Sequence, residues 1–228
     1  LISIIIPVLN EQNYLAECLS SLSRAGCEVI VVDGGSIDDT VAIAESFGAT
    51  VLRLGIANRA RQMNAGAEAA RGEVLLFFHA DSRLPESGAD SIRQAMEDPE
   101  MIGGSFALGF YPSQPFYSFL AATSNIFCRM TRMIFGDRGI FIQADHFRRI
   151  GKFPETVIME DAALATAMRR SGKIIILPEV VTTSARKYVN ETKIQALYRT
   201  VWAYAAYRLG VPAEKIKAGY YRLNRSRP

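Results

Sequence analysis

Short apolar runs alternate with helical periodicities along the first hundred residues. Ile2-Ser-Ile-Ile-Ile-Pro-Val8 is dense in β-branched residues and suits a strand covered on both faces. A helix from about Tyr14 to Ala25 follows, then strand Glu28–Val32, helix Asp38–Phe47, strand Thr50–Leu54 and helix Asn58–Ala70. Glu73–Phe78 reads as the fourth strand. Pro85 then stands where a first helical turn tolerates proline and opens a helix to about Met96. This alternation predicts an α/β fold with a mostly parallel mixed sheet flanked by helices, and ligands outside the carboxyl ends of its strands.

The second half is less regular. Ile102–Phe110 reads as a strand with an internal Gly-Gly, Ser118–Met133 as a helix, and Gly136–Ile142 as a turn leading into another strand. Met159–Arg170 is a helix with acidic residues in its first turn and basic ones in its last, which matches the helix dipole. Lys173–Leu177 and Val180–Ser184 read as two short strands. Ile194–Leu209 is a helix with Ile194, Leu197, Tyr198, Val201 and Ala205 on one apolar face. The most apolar long stretch, Phe116–Phe135, is interrupted by Asn125, Arg129 and Arg132, so no run approaches the ~20 residues that span a bilayer.

At 228 residues the chain fits one domain with some embellishment, and 49% hydrophobic against 21% charged residues is a globular balance. Cys18, Cys27 and Cys128 are odd in number and lack metal-ligand spacing. Neither a disulfide framework nor a zinc site is therefore expected, and a cytosolic setting is the default. The chain begins at Leu1 with no charged segment ahead of an apolar run, so no signal peptide is expected. Net charge is only +3, but residues 186–228 hold ten Lys or Arg against two Glu, together with Tyr188, Tyr198, Trp202, Tyr204, Tyr207, Tyr220 and Tyr221. Such a basic aromatic tail suits a membrane surface or an anionic ligand, or is simply a solvated helical face.

Three polar clusters terminate strands: Pro7-Val-Leu-Asn-Glu11, Asp33-Gly-Gly-Ser36 and His79-Ala-Asp81. Any one alone reads as a loop that caps the next helix, with Ser36 and Asp38 as N-caps; three converging on one crevice point to a site. A carboxylate such as Asp81 can hold a hard divalent cation that also grips a diphosphate, or cap the helix after Pro85. His79, on the same side of an extended strand, could ligate manganese, bond a phosphate, or be structural. Arg59, Arg61, Gln62 and Asn64 open the third helix, where guanidinium groups could meet phosphate or face water. Glu160 and Asp161 open another, as dipole partners or a general base. No G-x-x-x-x-G-K-[ST], G-x-G-x-x-G or G-x-S-x-G occurs, which disfavours ordinary NTPases, dinucleotide enzymes and serine hydrolases.

Taken in order, these segments resemble the inverting nucleotide-sugar glycosyltransferases of family 2, which have the GT-A fold. Pro7–Glu11 is similar to that family's first nucleotide-binding strand end, Val31-Val-Asp-Gly-Gly-Ser-Ile-Asp-Asp-Thr40 to V-D-D-G-S-x-D-x-T, and Arg61-Gln-Met-Asn-Ala-Gly66 to its N-x-G helix start. His79-Ala-Asp81 falls at the D-x-D metal motif and Glu160-Asp161 at the E-D catalytic motif. The nearest likeness is to a bacterial subgroup of short transferases with V-D-G-G-S, Q-M-N-x-G, F-x-H-A-D and G-D-x-G-x-F.

The resemblance implies a single transferase domain over 1–228: a nucleotide-binding half (1–98), an acceptor and catalytic half (99–185) and a basic helical segment (186–228). It implies that Pro7, Leu9, Asn10, Glu11, Asp33, Gly34, Ser36, Arg59, Arg61, Asn64, Ala80 and Arg186 bind a nucleotide-diphosphate sugar, a UDP-sugar foremost. Asp81 and His79 would hold Mg2+ or Mn2+, Asp161 with Glu160 would supply the base, and Asp137 would face a hydroxyl acceptor; the basic aromatic tail adds a lipid-linked acceptor as a hypothesis. Nucleic acid is not an expected partner, and the expected location is cytoplasmic, with peripheral contact at the inner membrane face. Two positions depart from the family pattern: Gly34 replaces an acidic residue and His79 replaces the first Asp of D-x-D. A nucleotide-sugar-binding protein without turnover and a sugar nucleotidyltransferase remain as alternatives, although the latter would need a glycine- and lysine-containing loop after the first strand.

Overall fold

Ile4, Ile5 and Ile6 are fully excluded from solvent, so the first strand, β1 (Ile2–Val8), is interior, as its β-branched run requires. The computed structural model describes residues 1–22, 26–188 and 193–222. β2 (Glu28–Asp33), β3 (Thr50–Arg53) and β4 (Val74–Phe77) extend the sheet in parallel, β2 and β3 on one side of β1 and β4 on the other. α1 (Leu15–Leu22), α2 (Thr40–Ser46), α3 (Arg59–Ala69) and α4 (Gly88–Ala95) connect or follow these strands. Side chains alternate across β1: Ile5 packs with Met63 and Ala67 of α3, whereas Ile4 and Ile6 pack with Leu15 and Leu19 of α1 and Ile92 of α4.

The remaining strands are β5 (Ser82–Arg83), β6 (Met101–Tyr111), β7 (Ile140–Gln143) and β8 (Lys173–Ser184). The order across the eight-stranded sheet is β3-β2-β1-β4-β7-β6-β8-β5. β7 runs antiparallel to both β4 and β6, β8 runs parallel to β6, and β5 runs antiparallel to β8. Chain order reverses beside β1, and such a switch point opens a crevice at the carboxyl ends of β1 and β4.

Several elements differ from expectation. α1 ends at Leu22, and the rest of the expected helix, 23–25, lies outside the described residues. The two expected strands 173–177 and 180–184 are one, because Leu177 pairs with Phe106 and Val180 with Ala107, leaving Pro178 and Glu179 as a bulge. A proline without an N–H fits there without breaking the ladder. The two-residue β5, α6 (Ala144–Arg149) and α9 (Ala213–Arg222) were not expected. α5 (Pro115–Thr131) and α7 (Glu160–Ser171) match expected helices.

The largest correction concerns α8 (Lys193–Arg208). Its apolar stripe should face a core, yet Leu197, Tyr198, Val201 and Ala205 are exposed. The buried face holds Arg199, Ala203 and Ala206, the two alanines packed with Ile216 of α9 and the Arg199 guanidinium 4.2 Å over the Tyr220 ring. Small side chains let the two helices approach closely, which selects that face over the more hydrophobic one. The side chains of Ile194 and Tyr221, and residues 223–228 of the basic tail, lie outside what is described.

Candidate active site

The loops after β1 and β2 are tied to each other by side chains. Asn10, in the left-handed region at φ 55°, accepts the Ile37 N–H on Oδ1 at 2.9 Å and donates its own N–H to Ser36 Oγ at 2.9 Å. Asp33 is buried, and its carboxylate accepts the N–H groups of Gly35 and Ser36 at 3.0 Å each. Ser36 and Asp38 are not the N-cap of α2, which is Asp39; Asp38 instead accepts the Thr40 N–H at 3.1 Å. Gln62 anchors α3 to both strand ends, donating to Val8 O at 2.9 Å and Val32 O at 2.8 Å. Gly34 lies under that amide: a Cβ there would be 3.1 Å from Gln62 Nε2 and 3.3 Å from Ala57 Cα. A side chain at this position would press on that amide, which would have to give by a few tenths of an ångström. Pro7 is half-buried in β1, and Leu9 is exposed at the loop's rim.

Arg186, in the 3-10 turn after β8 (Ala185–Tyr188), reaches across the crevice. Its Nη1 and Nη2 donate to the two Glu11 carboxylate oxygens at 2.7 Å each, and its Nε lies 2.8 Å from Asp81 Oδ2. The Tyr14 ring lies 4.4 Å from the guanidinium. Burial works against the Arg186 charge, but the Glu11 hydrogen bonds and the Asp81 charge outweigh it and raise its pKa further. Tyr111 donates its hydroxyl to the Asp81 carbonyl at 3.0 Å, and burial pushes that phenol up to about 12. The phenol therefore remains a donor at neutral pH.

β4 ends at Phe77, and the Ser82 N–H donates to His79 O at 3.1 Å, so residues 79–82 form a turn instead of an extended strand. His79 and Asp81 accordingly engage different partners: Asp81 meets Arg186, whereas His79 Nε2 meets Arg59 Nη2. In the ligand-free protein the His79 ring nitrogen thus faces the Arg59 guanidinium, which can only donate to it. Ala80, between them, is buried.

Beyond His79 lies a second cluster. Arg59 Nε is 3.6 Å from Glu160 Oε1, and Glu160 is 8% exposed. Burial pushes the Glu160 carboxyl up, the Asp161 charge adds to the shift, and Arg59 opposes it. Asp161 Oδ2 accepts the Gly136 N–H at 2.9 Å and Oδ1 accepts the Ala162 N–H at 2.7 Å, which fixes the carboxylate at the head of α7. Gly136 leaves room for these side chains: a Cβ there would be 2.8 Å from Arg59 Nη2 and 3.0 Å from His79 Nε2 and would make them shift. Arg59, His79, Gly136 and Asp161 thus line a small cavity floored by Phe77 and Phe153. Asp137, half-buried, follows Gly136 in the 3-10 turn Gly136–Arg138.

The structure sends two expected donor-binding residues elsewhere. Asn64 pairs both ways with the Phe153 backbone, at 2.9 and 3.0 Å, and Arg61 Nε lies 3.1 Å from Glu155 on the surface. Helical geometry explains this: Arg61 and Asn64, three residues apart, share one face of α3 and both reach the 153–155 segment, while Arg59, two residues before Arg61, points another way. Tyr14 and Tyr111 were missed, since an aromatic outside any motif gives no signal until the chain is folded; Gly136 opens the G-D-x-G-x-F stretch, but its contact with Asp161 was not foreseen. Among the described residues no group of three or more His, Cys, Asp or Glu could hold a metal ion. A cation at Asp81 would therefore be held mainly by ligands other than these side chains.

The sequence pattern of Glycosyl transferase family 2 matches residues 3–153, which spans the loops after β1, β2 and β4. The chain belongs to that family. Within this family-2 chain, 94 residues are 40% identical to a Mycobacterium bovis protein named PGL/p-HBAD biosynthesis glycosyltransferase, covering 37% of each. A Streptococcus pneumoniae protein named glycosyltransferase GlyG is 26% identical over 117 residues, 46% of this chain and 39% of that one. The matched stretches thus span under two-fifths of those curated relatives.

Among solved structures, a Pyrobaculum calidifontis mannosyltransferase in complex with GDP-Man and Mn2+ superposes with TM-score 0.69 at 18% identity, over 99% of this chain and 70% of that one. Staphylococcus aureus TarS 1–349 in complex with UDP-GlcNAc superposes with TM-score 0.68 at 17% identity, over 88% and 65%. These likenesses show that the family-2 chain has the GT-A fold.

Proposed function

We propose that this domain transfers a sugar from a nucleotide-diphosphate donor to a hydroxyl acceptor with inversion at the anomeric carbon. The observation that carries the reading is the Asp161 carboxylate, held by the Gly136 and Ala162 amides in the lining of the cavity that Arg59 also lines. A base oriented by two backbone donors needs little reorganisation to accept a proton from an attacking hydroxyl.

In this reading the loops bearing Asn10, Glu11, Asp33 and Ser36 receive the nucleoside. Arg186 leaves the Glu11 and Asp81 carboxylates to meet the diphosphate, and Asp161 takes the acceptor proton as the new glycosidic bond forms and the bond to the diphosphate breaks. Arg59 adds positive charge near the leaving group. A divalent cation at Asp81, when bound, supplies further positive charge to that diphosphate. The complexes of solved relatives with GDP-Man and Mn2+ and with UDP-GlcNAc support a nucleotide-sugar donor and such a cation. A UDP-sugar is the first donor to test. A lipid-linked alcohol is the acceptor class that suits the apolar surface described below.

The test is Asp161→Asn, assayed for transfer with nucleotide sugars and separately for donor binding by calorimetry. Transfer should fall about a hundredfold or more while donor affinity is retained. Equal loss of both would show a structural role. One observation favours a second reading, a binding protein without turnover: Arg186 occupies both Glu11 and Asp81. Donor binding with no transfer or hydrolysis at any Mg2+ or Mn2+ concentration would establish it.

A further inference from the structure

Two helices carry an apolar stripe outward. On α5, Phe119 (67% exposed), Ile126 (59%) and Met130 (81%) recur at spacings that place them on one face, and on α8 Leu197, Tyr198 and Val201 form the stripe that the fold leaves uncovered. The stripes meet where the Tyr204 ring packs edge-on against Phe127, centroids 5.9 Å apart, and against Phe135 at 5.7 Å. A contiguous exposed apolar surface of this kind marks an interaction site.

Its charge identifies the partner. Neither α5 nor α8 contains Asp or Glu, while Arg129, Arg132 and Arg208 are exposed at their ends, and on α9 the exposed Lys215 and Lys217 outnumber the exposed Glu214. Two copies joined through this face would bring like charges together, whereas an anionic phospholipid surface pairs the cations with headgroups and takes the apolar side chains below them. We infer that α5 and α8 form a peripheral docking face for an anionic phospholipid membrane. Among the described residues no helix is long and apolar enough to cross a membrane, so contact through this face is interfacial.

The face also leads to the candidate site. Phe135 rests on Tyr204, and the next residue, Gly136, donates its N–H to Asp161. Docking would therefore bring the carboxylate close to hydroxyls presented at the headgroup level. The inference does not rest on the transferase reading, because binding to vesicles needs no donor.

Flotation of the full chain with phosphatidylglycerol–phosphatidylcholine vesicles, against phosphatidylcholine alone, tests it. The chain should float with the anionic vesicles. Phe119→Ser, Ile126→Ser and Met130→Ser together should lower partitioning about tenfold or more, and Leu197→Ser with Val201→Ser should do the same, with melting curves unchanged since all five residues are exposed. Arg129→Gln and Arg132→Gln should each cost about fivefold on anionic vesicles only. No flotation would overturn the inference. So would serine variants that float like the parent, which would leave only diffuse attraction of the basic segment, or a dimer in sedimentation equilibrium that the serine substitutions dissolve.

Discussion

Arg186 Nε lies 2.8 Å from Asp81 Oδ2, so one guanidinium after the last strand of the sheet closes over the carboxylate that follows β4. The same group grips Glu11 with a two-pronged bond, so three strand ends are drawn together by one side chain. Two acidic residues near each other at a switch point would otherwise repel, and Arg186 removes that repulsion in the ligand-free protein.

Arg186→Gln should leave Glu11 and Asp81 without their shared cation. Because Arg186 is 38% exposed and solvent screens part of the interaction, the expected loss is about 1–3 kcal/mol in urea unfolding. Lysine should not restore it, since an ammonium cannot bond both Glu11 oxygens and Asp81 in the same planar arrangement.

Gly136→Ala should place a methyl group against Arg59 and His79. Both neighbours end in mobile side-chain atoms, so the fold should survive while Arg59 moves away from the cavity. Transfer should fall about tenfold or more with the melting temperature nearly unchanged. An alanine variant of full activity would show that Arg59 has no part in the reaction.

Glu160 gives stability a pH dependence. Burial raises its pKa in the folded chain, so the folded state binds the proton more tightly than the unfolded state does. The stabilisation is fully present below the ordinary carboxylate pKa of about 4.3 and is lost as pH climbs through the raised value. Melting temperature measured against pH should therefore show a decline across that window that Glu160→Gln removes. An identical decline in the variant would assign the effect to another group.

Gly34→Asp should destabilise the chain by about 1–3 kcal/mol, because the new side chain displaces the Gln62 amide from Val8 O and Val32 O. Thermal and urea melts would measure this. A neutral result would mean that the α3 start relaxes freely.

The alternating first half was legible because a strand buried on both faces must be nearly all apolar, and its flanking helices must each carry a stripe. Glu28–Asp33 and Asn58-capped α3 therefore fall close to their expected bounds. The bulge at Pro178 and the direction of α8 were not legible, since both depend on partners distant in the chain: Phe106 and Ala107 for one, Ile216 and Tyr220 for the other.

The same division holds for the candidate site. Sequence alone determined which segments end at the crevice, because strand ends and helix starts are local properties of apolar runs, prolines and caps. Only tertiary structure decided which side chains meet there. It turned His79 toward Arg59 and Asp81 toward Arg186, sent Arg61 and Asn64 to other partners, and brought Gly136 against Asp161. The physical reason is range. Periodicity reports the face of one element, whereas a salt bridge such as Arg186–Glu11, spanning 175 positions, exists only once the whole sheet has assembled.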